Sequence, residues 1–102
     1  MGIVLISFES GLAIDEVDDL FHERASHYRE MDGLLQKFYL HDEGSGRVGG
    51  IYVFDSKGSS DVLFESDVNA SLEAAYEARD VEIRRFHVTL PLYESVEFPT
   101  GA

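Results

Sequence analysis

The segment from Ile3 to Phe8 constrains the fold more than any other part of the chain. It is apolar at nearly every position and rich in β-branched residues, and Ser10 and Gly11 follow it closely. A short apolar run bounded in this way predicts a strand that is buried on both faces. Such a strand needs a cover on each side of the sheet that contains it.

Downstream of this strand, the sequence predicts one long helix and then a pair of strands. From Ile14 to Met31 the apolar residues recur at spacings of three and four, which is typical of an amphipathic helix. Its acidic residues come early and its basic residues late, as the helix dipole favours. Gly33 is expected to be a left-handed cap at its end. The next two strands, Leu34 to His41 and Arg47 to Phe54, flank a glycine-containing hairpin loop and should be antiparallel neighbours.

A second helical region is expected before the final strand. It would begin near Asp61, capped by Ser59 or Ser60, and would break and restart near Ser66. Its apolar stripe ends near Arg79. The break predicts two short helices rather than one long helix.

The segment from Val81 to Leu90 alternates in polarity and predicts the last strand, which Pro91 ends because proline cannot donate to the ladder. The element order is therefore β-α-β-β-α-β. This order predicts an α+β fold of ferredoxin-like topology, with both helical regions on one face of a four-stranded antiparallel sheet. The length of 102 residues fits a single domain, spanning residues 1–102.

The predicted topology leaves one face of the sheet without a cover. Ile51 and Val53 lie on one side of the third strand and Tyr52 and Phe54 on the other, so the uncovered face is also apolar. An apolar patch of that size normally marks an interface. We therefore expect a homodimer in which two sheets pack face to face.

Charge and composition exclude several classes of partner. Eight basic residues against twenty acidic ones give a net charge of −12, which argues against nucleic acid. No segment has the pattern of a signal peptide or the length needed to cross a bilayer, so we expect a cytoplasmic protein without a membrane partner. The acidity fits either halophilic adaptation or an ordinary, well-solvated surface. The lack of cysteine excludes thiol nucleophiles and thiolate metal sites.

The block Gly49 to Phe54 (GGIYVF), together with Phe86 and Val88 before Pro91 and with Lys37 on the second strand, resembles the YdhR-type mono-oxygenases. These belong to the dimeric α/β-barrel superfamily, so the resemblance implies a dimer that encloses a lined cavity. Relatives such as the antibiotic-biosynthesis monooxygenases imply oxidation of a small aromatic or polyketide-like substrate by molecular oxygen, with no metal, flavin or other cofactor. Other relatives degrade haem. The alternative is a non-catalytic dimeric module that binds a small ligand or partner.

In such a cavity, a substrate would meet polar residues on the sheet face opposite the helices. If the even-numbered apolar residues of the first strand pack on the helices, Ser7 faces the cavity. If Phe86 and Val88 also pack on the helices, Arg85 and His87 face it too. These three polar side chains are therefore candidate site residues.

His87 is the candidate general base, because histidine ordinarily titrates near neutral pH and can take a proton from a phenol. Arg85 would hold the resulting anion. The alternative for this pair is a structural hydrogen bond or ion pair between subunits, made with Glu9 or with an acid of the partner.

Four further residues are candidates for binding the substrate. Tyr39 and Tyr52 offer an aromatic surface with a polar end, which suits either a ring-shaped ligand or packing in the dimer core. Lys37 and His41 share the parity of Tyr39 and are expected near the cavity mouth, unless they are simply solvated. No metal site is predicted, because the histidines of the first helix lack a third ligand at suitable spacing.

Overall fold

Strand β1 (Gly2–Ser10) is one of the two central strands of a four-stranded antiparallel sheet. The computed structural model describes residues 1–65 and 71–93. The other strands are β2 (Leu34–His41), β3 (Val48–Phe54) and β4 (Ala78–His87), and the strand order is β2-β3-β1-β4. The predicted α+β fold with ferredoxin-like topology is confirmed.

Helix α1 (Ile14–Arg29) and the segment between β3 and β4 cover one face of this sheet. That segment contains a 3-10 turn (Gly58–Ser60), helix α2 (Asp61–Glu65) and helix α3 (Leu72–Tyr76). The predicted restart near Ser66 lies outside the described residues. Within the described part of the chain, no helix has both the length and the apolar character needed to cross a membrane.

The register of the sheet shows which side chains share the helix-covered face. Val4, Ile6 and Phe8 of β1 are buried there against Val17, Phe21 and Tyr28 of α1 and against Leu63, Leu72 and Tyr76. Tyr52 pairs with Val4 and so points to the same side. Burial of these large apolar side chains is the main favourable term that holds the helices on the sheet.

Several predicted boundaries shift by a few residues. The bounds of β2 are those predicted, whereas β4 runs from Ala78 to His87 rather than from Val81 to Leu90. α3 ends at Tyr76 because Glu77 takes a left-handed conformation with φ of 49°. Gly33 is also left-handed, with φ of 79°, but it opens the turn into β2, because α1 has already ended at Arg29.

The sheet face opposite the helices, which we call the open face, is apolar at its centre. Paired residues on neighbouring strands form rows across this face. One row consists of Val53, Ile3 and Phe86, and the next consists of Phe38, Ile51 and Leu5. The rim of the open face is polar. Gln36 ends the first of these rows, Arg84 ends the second, and Ser7 and Glu82 form a pair in the row after it. The exposed fraction of Phe86 is 41%. The expected distribution of apolar side chains over both faces of β1 and β3 is therefore present.

Candidate active site

A cleft of about 360 Å³ opens between α1 and β2 on the helix-covered side of the sheet. It falls within the usual range for small-molecule sites, about 300–1,000 Å³. Its walls combine aromatic, aliphatic and basic side chains: Ala25, Tyr28, Arg29, Leu34, Leu35, Gln36, Lys37 and Tyr39. The sequence placed a cavity on the opposite face, inside a dimeric barrel. This cleft instead belongs to the single chain.

A β-bulge at the start of β2 shapes the cleft. Leu34 pairs with Phe54 and Gln36 with Val53, so Leu35 is the extra residue. A bulge shifts the side-chain alternation by one position. As a result both Leu34 and Lys37 point toward α1, although three positions separate them.

Lys37 lies at the centre of the aromatic residues in this site. Its Nζ atom is 3.3 Å from the ring centroid of Tyr28, 4.1 Å from that of Tyr39 and 4.6 Å from that of Tyr52. The three rings come from α1, β2 and β3, so only the packed helix and sheet bring them together. Because the faces of aromatic rings attract cations, this arrangement stabilises the ammonium form of Lys37.

Burial acts on Lys37 in the opposite direction. Desolvation first, and then the positive charge of Arg24, lowers the pKa of Lys37 from 10.5 to about 7. Near neutral pH a large fraction of this side chain is therefore the neutral amine. An amine with this pKa can accept a proton from a bound phenol.

Two tyrosines of the site, Tyr39 and Tyr52, are held in their neutral forms. Burial is the largest cause that raises the pKa of Tyr39 and of Tyr52. Among the described residues, the Tyr39 hydroxyl is buried and has no hydrogen-bond partner. A buried hydroxyl in that situation favours a polar ligand atom or a water molecule next to it. The neutral rings thus offer walls for an aromatic ligand and hydroxyls to orient it.

Gly50 explains part of the GGIYVF block in terms of this site. A Cβ atom built on Gly50 would lie 3.1 Å from Cε of Lys37 and 3.2 Å from the carbonyl oxygen of Phe38. Glycine therefore leaves room for the lysine stem to cross the sheet surface. The neighbouring Gly49 has a different role, because its Cβ would lie 1.9 Å from the carbonyl oxygen of Ile6 in β1.

Three of the predicted substrate-binding residues come together here, and a fourth lies next to them. Lys37, Tyr39 and Tyr52 form the centre of the site, on the helix-covered face of the sheet rather than on the opposite face where the sequence placed the cavity. His41 is exposed and lines a neighbouring groove of about 260 Å³ with Asp15 and Asp18. Tyr39 contributes to both the cleft and this groove.

The predicted orientation of Arg85 and His87 is wrong. That prediction required Phe86 to pack on the helices, but Phe86 pairs with Ile3 and lies on the open face. Arg85 pairs with Val4, so it shares the helix-covered face, as does His87 two residues on. Lys37 and Arg85 lie at opposite ends of one row of paired residues that crosses all four strands. Three strand spacings put their backbones about 14 Å apart. The structure thus separates His87 and Arg85 from the tyrosines with which they were expected to line one cavity.

Arg85 joins β4 to the start of α2. Its Nη2 atom donates to Oδ1 of Asp61 at 2.7 Å and also to the hydroxyl of Ser60. Its guanidinium carbon lies 4.8 Å from the ring centroid of Phe64. The ion pair that was the alternative interpretation of Arg85 therefore exists, but within the chain and with Asp61. Ser60, expected as a helix cap, donates its hydroxyl hydrogen to the carbonyl of Lys57.

Ser7 lies on the face opposite the helices, as its parity predicted. Its hydroxyl accepts a hydrogen bond from Nε of Arg47 at 3.1 Å, and its carbonyl accepts one from Nη2 at 3.0 Å. Arg47 also forms ion pairs with Asp80 and Glu82. Ser7 therefore belongs to a network that ties β1 and β4 to Arg47, the residue before β3, on the other side of the sheet from the cleft.

Sequence reasoning missed Tyr28 and Arg29 as site residues. Tyr28 belongs to the apolar stripe of α1 and Arg29 to the basic residues of its last turn, so the helix alone accounts for both residue types. The available signal was the position of both at the end of α1, just before a strand that carries one of only two lysines. In residues 1–65 and 71–93, no group of three potential metal-binding side chains comes together.

Comparisons with known proteins match the fold just described. Residues 3–96 match the protein family described as "Putative mono-oxygenase ydhR". A solved structure of SnoaB, a cofactor-independent oxygenase from Streptomyces nogalater, superposes with a TM-score of 0.72 at 15% identity, covering 91% of this chain and 97% of that one. A "putative antibiotic biosynthesis monooxygenase" from Deinococcus radiodurans gives 0.73 at 16% identity, with the same coverage of both chains. At these low identities, the likeness shows that this chain has the same fold as the two solved structures. No curated protein sequence matches this chain.

Proposed function

Because the chain belongs to the ydhR mono-oxygenase family, we propose that the cleft beside Lys37 binds a small phenolic aromatic or polyketide-like molecule and oxidises it with molecular oxygen, without a metal or flavin. The observation that carries the proposal is a buried lysine amine among three tyrosine rings, at the wall of a cleft of about 360 Å³. Phenolic substrates become reactive toward oxygen when they lose a proton. The site therefore needs a base, and Lys37 replaces His87 in that role.

In the proposed reaction, the neutral amine of Lys37 takes the proton of the substrate, which leaves an electron-rich anion beside the new ammonium group. The positive charge stabilises that anion, and the three tyrosine faces stabilise the ammonium. For a substrate of the anthrone type, the methylene carbon loses both hydrogens and becomes a carbonyl. One atom of molecular oxygen becomes the carbonyl oxygen and the other leaves as water, so carbon is oxidised and oxygen reduced. Lys37 returns its proton to the departing oxygen.

Oxygen uptake by the purified protein, measured with a panel of neutral anthrones and quinols, tests this function. We expect uptake above the buffer rate for at least one compound, and Lys37→Met should lower that rate by about 100-fold or more, the usual contribution of a general base. The rate should rise with pH through about 7, because Lys37 must lose its proton to act. The matched control is Lys57→Met, which removes the only other lysine from an exposed loop position.

A variant of the other proposed base separates the two assignments. If Lys37 is the base, His87→Ala should retain most of the activity, because His87 lies on β4, at the edge of the sheet opposite to β2 and the cleft. If His87→Ala abolishes uptake and Lys37→Met does not, the assignment of the base is wrong although the reaction stands. If the wild-type protein consumes no oxygen with any of these compounds, the oxygenase proposal fails and the binding module is favoured.

The proposal also includes a homodimer formed through the open face. Its support is the apolar centre and polar rim of that face, an arrangement common in protein interfaces. The cleft lies on the opposite side of the sheet, so pairing through the open face would leave it accessible to substrate.

A further inference from the structure

The cleft carries positive charge in a strongly acidic protein. The chain has a net charge of −12, yet Arg29 and Lys37 are the only charged residues among the described residues that line the cleft. Arg24 lies close enough for its positive charge to act on both Lys37 and Tyr39. Arg29 also acts on Tyr39, and lowers its pKa against the larger effect of burial. Two arginines, together with Lys37 in its protonated form, thus influence one small volume.

The neighbouring groove shows that this positive charge is local. It shares Tyr39 with the cleft, but its lining includes Asp15 and Asp18 from the first turns of α1. The end of α1 that faces the cleft contributes Arg29 instead. Two adjacent depressions along the same helix therefore differ in the sign of their charge, and an anion would be favoured only in the cleft.

Arg29 differs from the arginines that hold the fold together. Arg47 is paired with Asp80, and Arg85 is paired with Asp61. Within residues 1–65 and 71–93, Arg29 forms no ion pair, and it is exposed at the cleft wall. A guanidinium group can form two parallel hydrogen bonds with a carboxylate, which gives both affinity and orientation.

We propose that the substrate of this site is an aromatic acid, whose carboxylate binds Arg29 at the cleft wall while its phenolic end faces Lys37. The inference rests on the proposed function and names the substrate class of the same site. It explains why a protein with so much negative charge has no carboxylate among the described residues of its cleft. It also places the recognition group and the reactive amine on two elements, α1 and β2.

Two fluorescent probes that differ only in the carboxylate test this inference. The dissociation constants of 6-hydroxy-2-naphthoate and 2-naphthol are measured with the full chain at pH 7 and low salt. We expect the naphthoate to bind about tenfold more tightly or better, which corresponds to about 1.4 kcal/mol. Added salt should reduce this ratio, because ions screen the exposed guanidinium.

Three variants identify the group responsible. Arg29→Gln should bring the ratio of the two dissociation constants to within about twofold of unity, whereas Arg29→Lys should retain part of it, since the charge stays and the paired geometry is lost. Arg79→Gln is the matched control, because Arg79 is an exposed arginine on β4 at the other edge of the sheet. This control should leave the ratio unchanged.

The inference is overturned if the wild-type protein binds both probes equally, if it binds neither, or if Arg29→Gln and Arg79→Gln change the ratio to the same extent. Equal binding of the two probes, or an equal effect of the two variants, leaves the oxygenase proposal standing, because that proposal is tested by oxygen uptake with neutral anthrones. Conversely, a carboxylate preference that depends on Arg29 supports the inference even if no oxygen is consumed, and would then describe a binding module for aromatic acids.

Discussion

Lys37 illustrates how burial changes the chemistry of a single side chain. On an exposed strand a lysine is a solvated cation, but here desolvation and the charge of Arg24 bring its pKa to about 7. The titratable and charged groups around it are Arg24 and Tyr28 of α1, Tyr39 of β2 and Tyr52 of β3. Burial raises the pKa of Tyr39 and of Tyr52, so the lysine proton is the charge that varies near neutral pH beside these two rings.

This lowered pKa predicts how the stability of the protein depends on pH. Between pH 7 and about 9 the unfolded chain keeps the Lys37 proton that the folded chain gives up, so the free energy of unfolding should rise with pH. The contribution of Lys37 is at most about 1.4 kcal/mol per pH unit. Below about pH 6 both states carry the proton, and this contribution to the slope disappears. Urea unfolding of the wild type and of Lys37→Met at several pH values measures it.

The Lys37→Met variant should lose the part of the slope that comes from Lys37 and should be more stable than the wild type at pH 6, where the buried charge is most unfavourable. Lys57→Met is again the control and should keep the wild-type slope. Identical slopes for the wild type and Lys37→Met would show that Lys37 titrates normally in the folded protein.

Strand β3 shows what glycine does at the scale of an element. Gly49 allows β1 and β3 to approach closely, because a Cβ there would overlap the carbonyl oxygen of Ile6, a backbone atom that cannot rotate away. At Gly50 one of the nearest atoms is instead the flexible stem of Lys37. The two adjacent glycines thus have different roles, one in sheet packing and one in the site.

Alanine at each position distinguishes these roles. Gly49→Ala should lower the free energy of unfolding by about 3 kcal/mol or more, because the two central strands must separate. Gly50→Ala should change it by about 1 kcal/mol at most, while disturbing the position of Lys37 and therefore oxygen uptake. Denaturant unfolding and the uptake assay measure both effects. Equal stability losses at the two positions would contradict this division.

At the scale of the whole molecule, the open face is the feature that remains without a cover in a single chain. Phe86 and the row of apolar residues beside it favour association with a second copy through this face. The polar rim would leave the edges of the two sheets in water. The open face is therefore where the dimer proposal is tested.

Light scattering at micromolar concentration should give twice the chain mass of 11.4 kDa. Phe86→Asp should shift the protein toward the monomer, because it places a charge among the apolar side chains of the open face. Ile14→Asp is the matched control, since Ile14 is 44% exposed but lies on α1, away from the open face. A monomeric wild type, or equal dissociation by both variants, would contradict the face-to-face arrangement.

The sequence by itself determined the order of the elements, because helix and strand periodicities are local properties of the chain, and that order admits few topologies. It did not determine which face of β2 and β3 the helices cover, since Lys37, Tyr39 and Tyr52 were expected on the other face. It failed at β4, where Phe86 and Val88 were the more apolar parity and yet Phe86 lies on the open face. On an edge strand, the helix-covered parity can hold a polar side chain such as Arg85, which pairs with α2.

Only the tertiary structure decided what Lys37 does. Its pKa and its aromatic surroundings depend on Tyr28 and Arg24 from α1 and on Tyr52 from β3, residues that the sequence spaces far apart and only packing brings together. The pKa of a side chain reflects the local dielectric and the charges within a few ångströms, and neither is a property of the strand that carries it. The sequence therefore identified the residues of the site one at a time, and the fold assembled them.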